Sequence, residues 1–342
     1  MQALVLAGGE GTRLRPLTLT VPKPVMPLAG RPFLTFMLDW LASHGVDDAI
    51  LSCGYRSEGV RRVLGDIYDG MRLRYVIEEE PLGTAGPVRL AADEGVLADR
   101  FLVLNGDTLT DFDLSAEIEQ HARTGAEGTL ALYGVKDTAS YGVVPTDPGG
   151  RVEEFLEKID NPPTNRINAG AYVLERSVVE RIEPGRASSF EREVFPRMAS
   201  EGVLYGYMAE GYWIDIGTPE RYLEATYDLL GRDVESRLPP SDETGSLIYS
   251  GSITSGARIG PQSVVGSHCV VGERSVVERS VLHENVRVGA DCTIEAAVLA
   301  EGVRMEDGAR VCEGAIVGAG ATVAAGAVVE TDARIEPEAA IA

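Results

Sequence analysis

Ala257-Arg-Ile-Gly-Pro-Gln-Ser-Val-Val-Gly-Ser-His-Cys-Val-Val-Gly-Glu-Arg-Ser-Val-Val277 repeats one six-residue phrase. Ile259, Val265, Val271 and Val277 fall six residues apart, and Ile253 lies on the same grid. The grid then shortens by one residue and resumes at Leu282, Val288 and Ile294. It shortens again and continues at Leu299, Met305, Val311, Val317, Val323, Val329 and Ile335. Two positions before most of these stands a small residue: Ala257, Ser263, Cys269, Ser275, Cys292, Ala309, Ala315, Ala321 or Ala327. A hexapeptide period of this kind predicts a parallel β-helix, three hexads closing a triangular coil of about 18 residues. Residues 248–342 then hold about five coils, each short step removing one residue from a corner. Cys269 and Cys292 occupy the small inward slot and Cys312 follows an inward valine, so these three thiols read as structural.

Immediately upstream, residues 233–247 (Asp-Val-Glu-Ser-Arg-Leu-Pro-Pro-Ser-Asp-Glu-Thr-Gly-Ser-Leu) have the composition of a linker. Before that the period changes. Residues 1–232 alternate short apolar runs with helical patterns: Gln2–Ala7, Ala49–Cys53, Leu73–Ile77 and Phe101–Leu104 read as strands. Phe33, Phe36, Met37, Trp40 and Leu41 mark one helical face, and helices are expected over 84–92, 114–123 and 219–230. Strand–helix–strand alternation predicts an α/β domain with a mainly parallel sheet, with a more strand-rich, mixed region over 128–217.

Composition limits the partners. The chain has 342 residues, 53 acidic against 31 basic, for a formal net charge of −22. That surface repels phosphate backbones and anionic lipid, and no basic stripe offsets it, so neither nucleic acid nor a membrane is expected as a partner. No apolar run reaches the roughly 18 residues of a membrane span, and the first residues do not read as a signal peptide, so a cytoplasmic protein is expected. The four scattered cysteines and four histidines suggest neither a disulfide frame nor a zinc site. Only three lysines, Lys23, Lys136 and Lys158, remain beside 28 arginines. A compact ammonium is hard to replace where one oxygen must be met as a point charge.

Chemistry concentrates where the first strand runs into Gly8-Gly9-Glu10-Gly11-Thr12-Arg13. A glycine turn at the end of a strand lets backbone N–H groups approach a phosphate. No Gly-Lys-Ser/Thr follows, so it is not a Walker A loop, and Leu14 stands where the dinucleotide fingerprint needs a third glycine. Arg13, Arg15 and Lys23 nonetheless suit a polyphosphate. Asp107, alone, would read as a turn residue, and Glu157-Lys158 as a solvated strand edge.

In sequence order, eight blocks change that reading. Leu-Ala-Gly-Gly-Glu-Gly-Thr-Arg-Leu-Arg-Pro-Leu-Thr (6–18) and Pro-Lys-Pro (22–24) are followed by Pro-Leu-Gly-Thr-Ala-Gly-Pro (81–87) and Asn-Gly-Asp (105–107). Then come Ser-Tyr-Gly-Val-Val (140–144), Phe-Leu-Glu-Lys (155–158), Asn-Ala-Gly-Ala-Tyr (168–172) and Trp-Ile-Asp-Ile-Gly-Thr-Pro (213–219). Over residues 2 to about 230 the chain resembles the sugar-1-phosphate nucleotidyltransferases. The resemblance implies a Rossmann-like, mostly parallel mixed sheet followed by a left-handed β-helix that serves oligomerisation or regulation, and a homo-oligomer. It implies transfer of a nucleotidyl group to a sugar-1-phosphate with release of pyrophosphate, dependent on Mg²⁺.

Site residues follow by the same resemblance. Arg13 would neutralise the leaving pyrophosphate, Lys23 would meet the nucleotide phosphates, and Asp107 and Asp215 would hold the metal. Leu6, Ala7, Gly8, Gly9, Gly11 and Thr12, the Gly83-Thr84-Ala85 turn and Asn105-Gly106 would bind the nucleotide. Tyr141, Gly142, Glu157, Lys158, Asn168 and Trp213 would bind the sugar phosphate. Glu191 reads equally as a sugar contact or a structural residue, and Lys136 as surface.

Finer similarity, in residues 80–87, 165–170 and 190–196 and in the trailing hexapeptides, is to mannose-1-phosphate guanylyltransferases. It implies GTP and mannose-1-phosphate as substrates, with glucose-1-phosphate and dTTP or UTP as the alternative. The alternative of another class is a non-catalytic regulatory or assembly subunit of the same fold, which can lose the phosphate cations or metal carboxylates that are all present here. An acyltransferase in the tail would have only His268 and His283 as bases.

Overall fold

The computed structural model describes residues 1–54, 56–157, 159–254 and 256–342. Lys158 therefore lies outside the described residues. Two compact units form, each from two stretches of chain: Met1–Gly9 with Met37–Trp213, and Glu10–Phe36 with Ile214–Ala342.

The first unit is built on a mixed sheet, ten-stranded among the described residues. Its centre is parallel: Arg100–Asn105, Gln2–Leu6, Asp48–Cys53 and Met71–Ile77 lie side by side, Gln2 opposite both Asp48 and Phe101. Ala3, Leu4 and Val5 are wholly buried, as continuous apolar runs must be when a parallel sheet is covered on both faces. Arg166–Glu175 then pairs antiparallel with Arg100–Asn105 and with Gly128–Gly134, and Leu204–Met208 runs parallel to the latter. This is the mixed region expected over 128–217.

Helices sit close to their expected places, at Gly86–Asp93 and Leu114–Thr124. The latter starts at Asp113, whose carboxylate accepts from the Ala116 N–H at 3.0 Å, and stops at Gly125 with φ of 63°. The apolar face from Phe33 to Leu41 is buried along the helix Leu34–Ser43. Among the described residues no helix is long and apolar enough to cross a membrane.

The second unit carries the β-helix. Three parallel sheets run along it, of six, five and five strands. Inward residues such as Val265, Val277, Leu282 and Val323 are fully buried, and so are the small-slot residues Ser263, Cys269, Ala309 and Ala315. All four cysteines are free thiols; burial pushes Cys53 up to about 12 and Cys269 up to about 11, so neither is a nucleophile near neutrality.

Ile253 departs from the grid reading. It pairs with Val270 rather than with the inward Val271, and is 58% exposed. A one-residue offset in register turns a strand residue to the opposite face. The stretch 233–247 is not uniformly solvated either: Val234, Leu238 and Ser246 are buried, and the Ser246 hydroxyl donates to the Gly260 carbonyl at 2.6 Å.

Candidate active site

In the first unit, chemistry gathers at the carboxyl ends of Gln2–Leu6 and Arg100–Asn105. These strands are neighbours, but the chain leaves them on opposite sides: Asp48–Cys53 flanks the first and Arg166–Glu175 the second. Such a switch point opens a crevice beyond the strand ends. The Gly106 N–H donates to the Leu6 carbonyl at 2.9 Å and the Ala7 N–H to Ser52 at 2.8 Å, which fixes Leu6-Ala7-Gly8-Gly9 beside Asn105-Gly106-Asp107. A Cβ at Gly106 would lie 2.6 Å from the Leu6 oxygen, and one at Gly8 would lie 2.8 Å from a Glu78 carboxylate oxygen. Nothing lies within 4 Å of a Cβ at Gly9. The backbone is thus pinned on its protein side and open at Gly9, as a phosphate-approaching turn requires.

The Gly83-Thr84-Ala85 turn is locked to the segment 188–191. The Ala85 N–H donates to the Ser188 carbonyl at 2.9 Å, and the Thr84 hydroxyl donates to Glu191 at 2.7 Å while accepting from the Phe190 N–H. Gly83 has φ of +76°, and a Cβ there would meet the Ser188 carbonyl oxygen at 2.5 Å. Glu191 also accepts from the Ser189 hydroxyl at 2.7 Å. Its Oε2 is engaged in shaping this turn.

Asn168 stands where Arg166–Glu175 bulges between its two partners. Its amide accepts from the Gly170 N–H at 3.1 Å and donates to the Tyr172 hydroxyl at 2.8 Å. Gly170, at φ of +77°, lies on the Asn105 side chain, 2.5 Å from Nδ2 to a built Cβ. Burial, with Glu191 next in effect, pushes the Tyr172 hydroxyl well above the usual tyrosine range. Tyr172 joins Asn168 to Glu191, a link the sequence does not announce because an inward tyrosine in a strand looks like core.

Trp213 forms an aromatic wall with Tyr141, edge-on at 5.5 Å, and Tyr133, at 5.7 Å; its indole N–H donates to the Ala169 carbonyl at 2.8 Å. Gly142 pairs with Glu157, and a Cβ at Gly142 would lie 3.0 Å from that carboxylate and 2.8 Å from Phe155. A larger residue there would press on the Phe155 ring first.

In the second unit, Gly11 turns the chain at φ of 61° into the short 3₁₀ turn Thr12–Leu14. The Thr18 hydroxyl donates to the Gly11 carbonyl at 2.8 Å. The Lys23 stem packs on Gly11, 3.3 Å from its Cβ to one built at the glycine, and Lys23 is 8% exposed. Thr12 and Arg13 remain exposed. Arg13 rests its guanidinium over Gly217, where a Cβ would fall 2.7 Å from Nη2, and Asp215 lies two residues before that glycine. Arg15 is instead paired with Glu10 at 3.5 Å in solvent. Among the described residues no three His, Cys, Asp or Glu side chains cluster as metal ligands.

Residues 2–232 match the family described as Nucleotidyl transferase, and residues 243–341 match the EIF2B subunit epsilon LbH domain. The tail is thus a left-handed β-helix by type. A protein of Mycobacterium tuberculosis named mannose-1-phosphate guanylyltransferase is 41% identical over 277 residues, 76% of this chain and 77% of that one. Mannose-1-phosphate guanyltransferases of Schizosaccharomyces pombe and Aspergillus fumigatus are 42% and 39% identical, over 66% and 74% of this chain and 63% and 71% of theirs. The chain belongs to the nucleotidyl transferase family.

Proposed function

We propose that this protein transfers a guanylyl group from GTP to mannose-1-phosphate, giving GDP-mannose and pyrophosphate. The reaction class is carried by one observation, the open glycine turn Gly8-Gly9 beside Asn105-Gly106-Asp107 at the sheet's switch point. The substrate pair is supported by the names of the relatives.

A phosphate oxygen of the sugar-1-phosphate attacks the α-phosphorus in line, and the bond to the β-phosphate bridging oxygen breaks as pyrophosphate leaves. Positioning and charge neutralisation supply most of such a rate. Arg13 is assigned to the leaving pyrophosphate and Lys23 to the nucleotide phosphates. Tyr141, Gly142, Glu157, Lys158 and Trp213 are assigned to the sugar phosphate, with Asn168 holding the bulge beneath. Asp107 and Asp215 are assigned to Mg²⁺ by the family resemblance, a carboxylate being the hard donor that ion takes alongside phosphate oxygens and water. Bound there, the ion would neutralise phosphate charge.

The β-helix is assigned to homo-oligomer assembly. In the acyltransferase alternative His283 is not available as a base, because it is buried and its Nε2 is engaged with Tyr222 at 3.1 Å, which leaves the exposed His268. The test is a matrix of five nucleotides against several sugar-1-phosphates, scored by kcat/KM. GTP with mannose-1-phosphate is expected to lead, and a preference for dTTP or UTP of about tenfold overturns the substrate assignment.

A further inference from the structure

The segment carrying Arg13 and Lys23 returns through a small hairpin, Pro27–Leu28 against Arg31–Pro32. Two tyrosine hydroxyls donate to carbonyls of that hairpin. Tyr222, on the helix Pro219–Gly231, reaches the Pro27 oxygen at 2.6 Å. Tyr249, in the first coil of the β-helix, reaches the Ala29 oxygen at 2.7 Å. The Tyr249 ring also lies over Gly30, where φ is +82° and a Cβ would sit 2.2 Å from the ring. Only glycine lets the ring in.

Behind Tyr222 stands His283 of the β-helix, its Nε2 3.1 Å from the tyrosine oxygen. The hydroxyl proton goes to Pro27, so the imidazole is the donor, a neutral ring protonated on Nε2. From the hairpin a short bonded path leads to the phosphate cation. The Phe33 N–H donates to Met26 at 3.0 Å and the Met26 N–H to Lys23 at 3.2 Å. Lys23 in turn packs on Gly11 at the head of the Arg13 turn. No loose joint separates Tyr249 from Lys23: Val25, Met26, Leu28 and Ala29 are all buried.

We propose that Tyr249 and Tyr222, the latter oriented by His283, are positioning residues that set the Arg13–Lys23 segment for the triphosphate. The β-helix is then a working part of the phosphate site as well as a domain for assembly. The proposal rests on the nucleotidyl-transfer reading for what the segment binds, but not for whether the segment is held.

The test removes one oxygen. Tyr249→Phe keeps the ring on Gly30 and deletes the bond to Ala29. Its expected effect is a rise of about fivefold or more in KM for the nucleotide, with KM for the sugar-1-phosphate and the melting temperature nearly unchanged. Tyr227→Phe is the control, because Tyr227 lies on the same helix as Tyr222 and its hydroxyl donates to the Arg279 carbonyl of the β-helix at 2.5 Å rather than to the hairpin. It should leave both KM values alone. An unchanged nucleotide KM in Tyr249→Phe, an equal rise for both substrates, or the same effect from Tyr227→Phe overturns the proposal. Tyr222→Phe, which strands a buried donor and acceptor, is expected to repeat the nucleotide effect if it folds.

Hydrogen exchange without substrate gives an independent reading. The Met26 and Phe33 amides should exchange several-fold faster in Tyr249→Phe than in the wild type, and unchanged protection refutes the clamp. If the wild type turns over no substrate pair, the functional reading fails while exchange still decides whether the segment is held.

Discussion

Glu117 should be worth more to the fold when it is gone. It lies on the helix Leu114–Thr124 and is 0% exposed, and neither carboxylate oxygen has a hydrogen-bond partner among the described residues. Leu114 and His121 are buried on the same helix, His121 donating from Nε2 to the Glu175 carboxylate and accepting at Nδ1 from the Thr129 hydroxyl. His121 is satisfied and Glu117 is not. Burial pushes the Glu117 carboxyl well above the usual range. It therefore folds as the neutral acid, even though a helix N-terminus favours negative charge.

The sign of the pH effect follows. Above about pH 4.5 the unfolded chain has released this proton and the folded chain has kept it. Stability is fully present below the unfolded value and falls as pH rises toward the folded one, by about 1.4 kcal/mol per pH unit over that interval. Glu117→Gln is neutral at every pH, so the difference between variant and wild type should widen at about that slope. Glu117→Met, similar in length, also removes unpaired polar atoms, each stranded group costing about 1–3 kcal/mol, and should be more stable than wild type by about that amount at pH 7. Both tryptophans, Trp40 and Trp213, lie in the unit that contains Glu117, so urea unfolding followed by tryptophan fluorescence reports on the right part of the chain. A stability difference between wild type and Glu117→Gln that does not grow as pH rises above about 4.5, or a Glu117→Met clearly less stable at pH 7, would refute a buried, unpartnered carboxyl.

His283 titrates in the opposite sense: burial lowers it to about 4, so its stabilisation is complete above the unfolded value near 6.5 and is lost as pH falls. The loss should reach about 2 kcal/mol by pH 5, read as a melting difference between wild type and His283→Gln that shrinks on acidification, with the His283 ring still neutral by NMR at that pH. Asp107→Asn should cut kcat/KM by about a hundredfold or more with little change in melting temperature. Lys23→Arg should cost about tenfold despite the retained charge, since the lysine stem is buried against Gly11 and a flat guanidinium has no comparable path; steady-state kinetics at varied nucleotide check both.

Much of this was legible because it is periodic or local. The hexad marks the β-helix since each coil needs the same inward residues, and the glycines at 83 and 106 mark places where backbone meets backbone. What stayed hidden depends on distance along the chain. Nothing in residues 10–36 announces that they pack with the C-terminal half; the decisive partners, Tyr222, Tyr249 and His283, look like ordinary aromatic and polar residues until Pro27 and Ala29 are beside them. Glu191 was ambiguous for the same reason, its meaning residing in Thr84, 107 residues away. Glu117 looks like a solvated helix residue because the burial of its face is set by tertiary packing.

The small slot of the β-helix carries more information than its size suggests. Ser246, Ser263, Ser280, Ser252 and Ser275 each accept, at Oγ, the N–H of the slot residue 17 positions later. Four of them also donate to a carbonyl 14 positions later, Ser246 to Gly260, Ser252 to Gly266, Ser263 to Val277 and Ser275 to Gly289. Cys269 and Cys292 keep that second bond, their thiols facing the His283 and Glu306 carbonyls at 3.0 and 3.1 Å. Farther along, neighbouring coils are offset by 18 residues, as Val298 opposite Ile316 shows, and the slots are Ala297, Ala309, Ala315 and Ala321. The amides of the slots that follow them, at Ala315, Ala327, Ala333 and Ala339, close their own turns on the carbonyl three residues back. A buried amide must find an acceptor, and where the turn does not provide one the previous coil does, through a hydroxyl. Serine in the slot therefore marks the tighter coils and alanine the regular ones, so the choice between two small residues records the pitch of the helix as well as its existence.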